Sequence, residues 1–403
     1  MTKKYAITVT GITGTTGQYV LPYLLLNLNG DINWAVCSRS KAKAQAQLDA
    51  TVADLTAVHA KLPDIVEVDL TNQQDINRLV TDTEVVVGMA GPFPSTGYGL
   101  QTASAEAGIG YVDLCGDAPH IAKLIREYHE RAETSGSTLI NACGTSSFLQ
   151  DTAIRWLVSK VGPLSDVRSI ALEMLGSLSG GTVNSMTLNY QIYGSYSALG
   201  GPSSFSSERN DTTTATTKLW DYVKKPAKEP RLGGMYVVPS MTQSINTCTV
   251  LRSYTLLNRV YGPNFTYAEY DKSRNRVAAS VWTFALKCMT GMMRTSWFRR
   301  ILTAFRPPGT VPSKRTTEAA HATFVIVGNK LDGNPVYMKI NVAKDPMYVT
   351  AATCICLAAI ELLKQRRSGT APSGIVTPAT LGPQLFDQLQ EHNVAAEIKS
   401  SWP

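Results

Sequence analysis

Hydrophobic positions in the first 140 residues come as short runs divided by amphipathic stretches. Residues 5–10 are a continuous apolar and β-branched run, as expected of a strand buried on both faces. Val20, Leu21, Leu24, Leu25 and Leu28 follow at helical spacing. Pro22 falls inside that pattern, where it removes a backbone donor and predicts a kink. The alternation then repeats. Strands are expected at 32–37, 65–68, 84–87, 111–113 and 138–140, and helices at 41–55, 73–80, 99–107 and 119–134. Strands alternating with helices in this way predict an α/β fold, with a Rossmann-type, doubly wound parallel sheet over residues 1–150.

The period changes after residue 167. Strand-like runs at 169–174, 184–193, 235–238, 323–327 and 336–342 lie closer together, with Ser/Thr/Gly/Pro-rich loops between them, notably 200–217. They predict a second, α+β domain over 151–345 with a mixed or antiparallel sheet, for substrate and for a homodimer contact. Residues 347–363 read as a helix apolar on most faces and 384–391 as a short helix, so that 346–403 forms C-terminal helices and a tail returning to the first domain. Residues 281–293 are apolar apart from Lys287, and are followed by Arg294, Trp297, Phe298, Arg299, Arg300, Ile301, Leu302, Phe305 and Arg306. Two forms fit 281–306: a helix lying in a membrane interface as a peripheral contact, or an interior helix followed by a basic surface turn.

Composition narrows the classes. The 403 residues are 44% hydrophobic and 17% charged, which suits a globular chain with two sizeable cores. No uncharged apolar segment reaches the roughly 18–20 residues that span a bilayer. The start, Met-Thr-Lys-Lys, enters a strand directly, so no signal peptide is expected. Seven cysteines without a C-x-x-C pair point to an intracellular, reducing compartment, either cytoplasmic or at a lipid surface. Cys354 and Cys356 sit in an apolar run with no nearby histidine, so no metal site is expected. The net charge of +7 lacks a long Lys/Arg run, which argues against nucleic acid. An anionic cofactor or a membrane surface accounts for the excess equally well.

The candidate chemistry begins between the first strand and the first helix. Gly11, Gly14 and Gly17 there form the opening of a dinucleotide-binding unit, with the helix start offered to a pyrophosphate. The spacing is G-x-x-G-x-x-G, and Thr13, Thr15 and Thr16 between the glycines can reach phosphate oxygens. At the end of the second strand stand Ser38 and Arg39, with no carboxylate of the kind that reads an unphosphorylated ribose. A hydroxyl and a guanidinium suit a 2′-phosphate, so the expected cofactor is NADP. Asp69, closing the third strand, either meets the adenine amino group or caps its own loop. Ala90, Gly91 and Pro92 would let backbone approach the ribose and nicotinamide. The loops 91–97, 115–117 and 143–147 all follow parallel strands and are expected to line one cleft. Tyr98 and Asp117 are the catalytic candidates there. No Tyr-x-x-x-Lys follows a late strand of the unit, and the five histidines are scattered.

Gly11-Ile-Thr-Gly-Thr-Thr-Gly17, Cys37-Ser-Arg-Ser40, Gly91-Pro-Phe-Pro-Ser-Thr-Gly97, Tyr111-Val-Asp-Leu-Cys-Gly-Asp117 and Ala142-Cys-Gly144 occur in that order. In this the chain resembles the saccharopine dehydrogenase-like oxidoreductases, a group that includes trans-acting enoyl reductases of lipid synthesis. Weaker matches continue through Gly180-Gly-Thr-Val-Asn-Ser185, Asp345-Pro-Met-Tyr348 and Gly374-Ile-Val-Thr-Pro378. The resemblance implies an NADP(H)-dependent oxidoreductase acting on a carbonyl or enoyl group of a small or lipid-like substrate. The alternative is a non-catalytic NADP-binding scaffold or sensor at a membrane or lipid surface. Saccharopine cleavage ranks last, because no convergent set of arginines and lysines is evident. One departure stands out: where the group continues Phe-Asp-Ser-Ile-Pro-Ser-Asp, this chain has Thr145-Ser-Ser-Phe-Leu-Gln-Asp151, placing Ser146 at the first aspartate.

Overall fold

Two seven-stranded sheets divide the chain in the computed structural model, which describes residues 3–195, 201–206 and 226–402. The first is parallel throughout. Its strands are β1 (Tyr5–Thr10), β2 (Trp34–Ser38), β3 (Asp64–Glu67), β4 (Thr83–Gly88), β5 (Gly110–Asp113), β6 (Thr138–Ile140) and β13 (Gly374–Val376), in the order β13-β6-β5-β4-β1-β2-β3. Strand order reverses at β1, which pairs with β2 on one side and β4 on the other. That is the switch point at which ligands sit in doubly wound sheets. The connecting helices are α1 (Gly17–Asn27), α2 (Lys41–Asp54), α3 (Gln73–Asp82), α4 (Tyr98–Glu106) and α5 (Ala118–Ser135). Helix α1 runs on through Pro22.

The second sheet is mixed. Its strands β7 (Leu164–Leu175), β8 (Ala227–Glu229), β9 (Met235–Pro239), β10 (Thr266–Lys272), β11 (His321–Lys330), β12 (Pro335–Val342) and β14 (Val394–Lys399) take the order β14-β12-β11-β7-β10-β9-β8. Among the described residues, only β7 and β10 pair in parallel within it. Helix α6 (Thr145–Val161) carries the chain from β6 into this sheet, so residue 150 falls inside a helix. The C-terminal segment returns to both sheets, giving β13 to the first and β14 to the second. The intervening helix Val349–Ser368 packs on α1, α6, β4 and β5, with Cys354, Ile355, Cys356 and Leu362 fully buried. One apolar cluster therefore runs from Ile7 and Val9 of the first sheet to Phe324 and Met338 of the second.

Two sequence expectations are corrected. Residues 184–193 are not a strand but most of helix α7 (Gly180–Tyr193). Ser179 caps it by accepting from the Thr182 N–H, and Gly194 closes it in the left-handed conformation. Its Thr187, Asn189 and Tyr190 are buried, so tertiary packing overrides the local strand preference of its threonines and tyrosines. Residues 281–305 do not form an interior helix. They form parts of two helices, Arg276–Met292 and Ser296–Phe305, of which the first buries Ala279 and Thr283 and the second buries nothing. The 200–217 loop lies largely outside the described residues.

Candidate active site

Backbone geometry builds the first part of the site. Gly11 turns the chain out of β1 at φ +78°, and a Cβ there would stand 2.8 Å from Ala90 N. The loop after β1 thus rests directly on the loop after β4. At Gly17 a Cβ would come within 2.2 Å of Ile12 O, so only glycine lets α1 start against this turn. Gly14 is exposed and donates to Gly11 O at 3.0 Å. Thr16, the residue preceding α1, makes no side-chain cap, and the first turn holds no acidic residue. The helix start therefore presents N–H groups and a positive dipole end without a protein anion to satisfy them, which fits a pyrophosphate. Thr13 is exposed beside it, and Thr15 and Thr16 are half-buried.

At the end of β2, Ser38 Oγ accepts from Ser40 N at 3.2 Å, and Arg39 is exposed. Asp69 lies across from them. Its Oδ1 accepts from the Thr71 N–H and hydroxyl, at 2.9 and 2.8 Å, and these donors hold the carboxyl below its ordinary range with Arg39 adding to the effect. Of the two sequence readings of Asp69, loop capping is the one these contacts express.

The loops after β4, β5 and β6 lie side by side, because those strands are adjacent and parallel. Ala90, Gly91 and Pro92 form the first, with Gly91 exposed and the Gly91–Pro92 peptide cis. A buried polar net ties the next two together. Asp113 Oδ2 accepts from Gln101 Nε2 at 2.7 Å and from Asn141 Nδ2 at 2.8 Å, while Oδ1 accepts from Cys115 N at 2.9 Å. Burial pushes this carboxyl up to about 6, against the pull of those donors. Gln101 Oε1 faces His120 Nε2 at 2.7 Å, and His120 is pushed down to about 4 by burial and Lys123. Because Gln101 spends its amide on Asp113, its oxygen accepts and the neutral His120 carries its proton on Nε2. Nδ1 is then an acceptor for the Tyr193 hydroxyl, 3.3 Å away.

The catalytic candidates are both engaged. The Tyr98 hydroxyl donates to Glu127 at 2.9 Å on the exposed side, while its ring packs edge-on against His120 at 5.6 Å. Asp117 is buried and accepts from Asn189 Nδ2 of α7. Helix α7 is the wall that sequence reasoning missed: Ser185 lies beside Gly91, Asn189 meets Asp117 and Tyr193 meets His120. Its misreading as a strand hid that spacing. At the start of α6, Ser147 Oγ donates to Asn246 Oδ1 at 2.7 Å, Asn246 Nδ2 lies 3.0 Å from Ser146 Oγ, and Asn246 also donates to the buried Glu269 at 2.7 Å. A carboxylate thus backs the Ser146 position through one amide, supplied by β10 instead of by the loop itself. Among the described residues no His/Cys/Asp/Glu group is arranged to hold a metal ion.

Residues 7–140 match the family described as Saccharopine dehydrogenase NADP binding domain. Along almost its whole length the chain is similar to a protein named trans-acting enoyl reductase from Mycobacterium bovis, at 24% identity over 412 residues and 96% of each chain. It is also similar to a lipid droplet localized protein of Caenorhabditis elegans, 27% identical over 193 residues, covering 47% of this chain and 45% of the other. Among solved structures, apo saccharopine dehydrogenase (L-Glu forming) from Saccharomyces cerevisiae superposes with a TM-score of 0.51 at 14% identity, covering 98% of this chain and 99% of that one. That likeness concerns the fold.

Proposed function

We propose that this chain, whose residues 7–140 match the saccharopine dehydrogenase NADP binding domain, is an oxidoreductase of the saccharopine dehydrogenase-like group and transfers hydride between NADP(H) and a carbonyl or enoyl group of a small or lipid-like substrate. The observation that carries the reading is the uncapped start of α1 behind Gly11 and Gly17, facing the same sheet edge as Ser38 and Arg39. The relatives named for enoyl reduction and for lipid droplets support the substrate class.

The bound nicotinamide supplies the hydride. In this reading the N–H groups at the start of α1, with Thr13, Thr15 and Thr16, take the pyrophosphate, and Gly14 leaves room for it. Ser38 and Arg39 take the 2′-phosphate, with Asp69 bordering the adenosine side. Ala90, Gly91 and Pro92 floor the nicotinamide. Tyr98 is committed to Glu127 and Asp117 to Asn189, so proton transfer falls to Tyr193. His120 orients that hydroxyl, and the Gln101–Asp113 pair fixes the histidine tautomer.

The test is NADPH consumption by the full chain against a panel of aliphatic enals and ketones. Turnover is expected, and Tyr193→Phe should lower kcat by about a hundredfold, the low end for removal of a general acid, while NADPH affinity stays unchanged. Bound NADPH left unconsumed across the panel would sink the enzyme reading. It would favour the non-catalytic NADP-binding scaffold, for which Ser146 in place of the expected aspartate is the specific supporting observation.

A further inference from the structure

Exposed apolar side chains are concentrated on two helices that follow one another in the chain. On the helix Arg276–Met292, Val277 is 72% exposed, Val281 62% and Phe284 69%, with Cys288 and Met292 also exposed. Those positions fall at i, i+4, i+7, i+11 and i+15, a single stripe along the helix. On the helix Ser296–Phe305, Trp297, Ile301 and Phe305 repeat every fourth residue at 55%, 56% and 81% exposure. Met174, Leu175, Leu178, Ile192 and Val311 extend the patch. Residues 174–178 end and follow β7, Ile192 lies on α7 against which the second helix packs, and Arg306 Nη2 reaches Ser177 Oγ at 3.3 Å. Soluble proteins rarely leave so many large apolar side chains exposed on neighbouring helices without a partner for them.

Charge says which partner. Residues 273–317 contain nine lysines and arginines and no aspartate or glutamate. That local charge exceeds the +7 of the whole chain. Arg276, Lys287, Arg294 and Arg300 are exposed among the apolar residues. A second copy of this face would set nine positive charges against nine, which disfavours self-association through it. No helix among the described residues is long and apolar enough to cross a membrane. We propose that the outer face of the helices Arg276–Met292 and Ser296–Phe305 docks on an anionic phospholipid surface, its aromatic stripe entering the headgroup boundary and its arginines pairing lipid phosphates.

The consequence for the cleft follows from the packing. The helix Ser296–Phe305 lies against α7, and Gly180 N at the start of α7 donates to Thr310 O at 2.8 Å. The wall carrying Ser185, Asn189 and Tyr193 is therefore anchored to the docking face. Docking in this way does not depend on the reaction proposed above, since a scaffold would dock by the same surface.

The experiment is flotation of the full chain with phosphatidylcholine vesicles, with and without phosphatidylserine, at low and high salt. The chain should float with the anionic vesicles at low salt, lose most of that binding at high salt, and stay behind with phosphatidylcholine alone. Arg294→Ala and Arg300→Ala should each weaken binding roughly fivefold. Phe284→Ser with Phe305→Ser should weaken it by about tenfold or more, while NADPH binding is retained as a control for folding. No flotation of the wild type with anionic vesicles at low salt overturns the proposal. So does binding that survives both sets of substitutions, and so does a dimer dissolved by the Phe284 and Phe305 substitutions without any vesicle binding, which would assign the face to a second copy.

Discussion

The cleft edge of the first sheet and the outer face of the second domain treat side chains in opposite ways. At the cleft edge, buried polar groups are tied to one another: Asp113 has three donors, His120 has Gln101 and Tyr193, and Asn246 joins Ser147 to Glu269. On the outer face, Phe284 and Phe305 stand in solvent beside arginines that have no acidic neighbour in sequence. The first arrangement fixes geometry, because every partner lost would leave a desolvated group behind. The second fixes nothing by itself and gains only when another surface covers it. With the docking proposed above, rigidity and adhesion are separated onto two regions of one chain, joined by α7.

The sharpest way to break the comparison is at Gly17. The Cβ of Gly17→Ala would lie 2.2 Å from Ile12 O and 2.4 Å from Ile12 C, both backbone atoms. Neither can rotate away, so the turn must open. We expect a loss of about 3 kcal/mol or more in unfolding free energy, at the upper end for overpacking, together with loss of NADPH binding. Denaturant unfolding and an NADPH titration check the two parts. Unchanged values for both would mean that the start of α1 tolerates the shift, and that this edge is not the rigid one.

Arg39→Ala tests the same edge without touching its packing, since the side chain is exposed. A charge-assisted contact to a 2′-phosphate contributes on the order of 1.5–3 kcal/mol. NADPH affinity should fall roughly tenfold to a hundredfold, and NADH affinity should stay put. Asp69 makes the result more informative, because its carboxylate lies close enough to feel Arg39. Removing the arginine would leave that negative charge facing the phosphate. If NADH and NADPH weakened equally, Arg39 would not be the group that reads the phosphate.

Much of this edge was legible in the sequence because it is local. The glycines at 11, 14 and 17 act within one turn, and Ser38-Arg39 ends a strand whose buried run is unambiguous. What escaped depends on residues far apart. Helix α7 carries Asn, Thr and Tyr at positions that read as a strand, and its partners Asp117 and His120 lie more than seventy residues earlier. Strand β13 has three residues, too few for a period, and belongs to the first sheet only because it pairs with β6. Strand β10 and the helix Gln243–Leu256, which supply Glu269 and Asn246 behind Ser146, gave no comparable signal. For residues 281–305 the pattern told of an apolar stripe but not of its direction. Whether such a stripe faces a core or water is decided by the rest of the chain.

A third prediction sharpens the contrast through pH. Asp151 on α6 is fully buried, where Ser253 Oγ donates to Oδ1 at 2.5 Å and Ala379 N to Oδ2 at 2.8 Å. Burial pushes its carboxyl up to about 7 from 3.8. The folded chain then holds a proton that the unfolded chain has already lost, so this group lowers stability as pH rises from about 4 to 7, by roughly 1.4 kcal/mol per unit. Above that window its contribution is constant. His120 and His129, pushed down to about 4, act in the opposite sense, so the total slope of the wild type is a sum. The quantity to measure is the difference in slope between wild type and Asp151→Asn across this window. Parallel slopes would show that Asp151 titrates normally in the folded chain.

The smallest expected effect is at the outer face, and its smallness is the point. Phe284 and Phe305 are 69% and 81% exposed, so truncating them removes little apolar area from the folded interior. Surface substitutions away from caps, cavities and strained turns usually change stability by no more than about 0.5 kcal/mol. The double variant Phe284→Ser, Phe305→Ser should accordingly unfold at the same denaturant midpoint as the wild type, within that margin. Serine is a poorer helix former than leucine or alanine, yet its cost at an exposed site is a few tenths of a kcal/mol. The same variant should be more soluble in the absence of lipid, because the exposed stripe is what other apolar surfaces would find. A loss of about 2 kcal/mol or more, on the scale of a buried aromatic truncated to a small residue, would mean that these rings are covered in solution. The outer face would then be a second rigid region, and the division of labour between the two faces would fall with it.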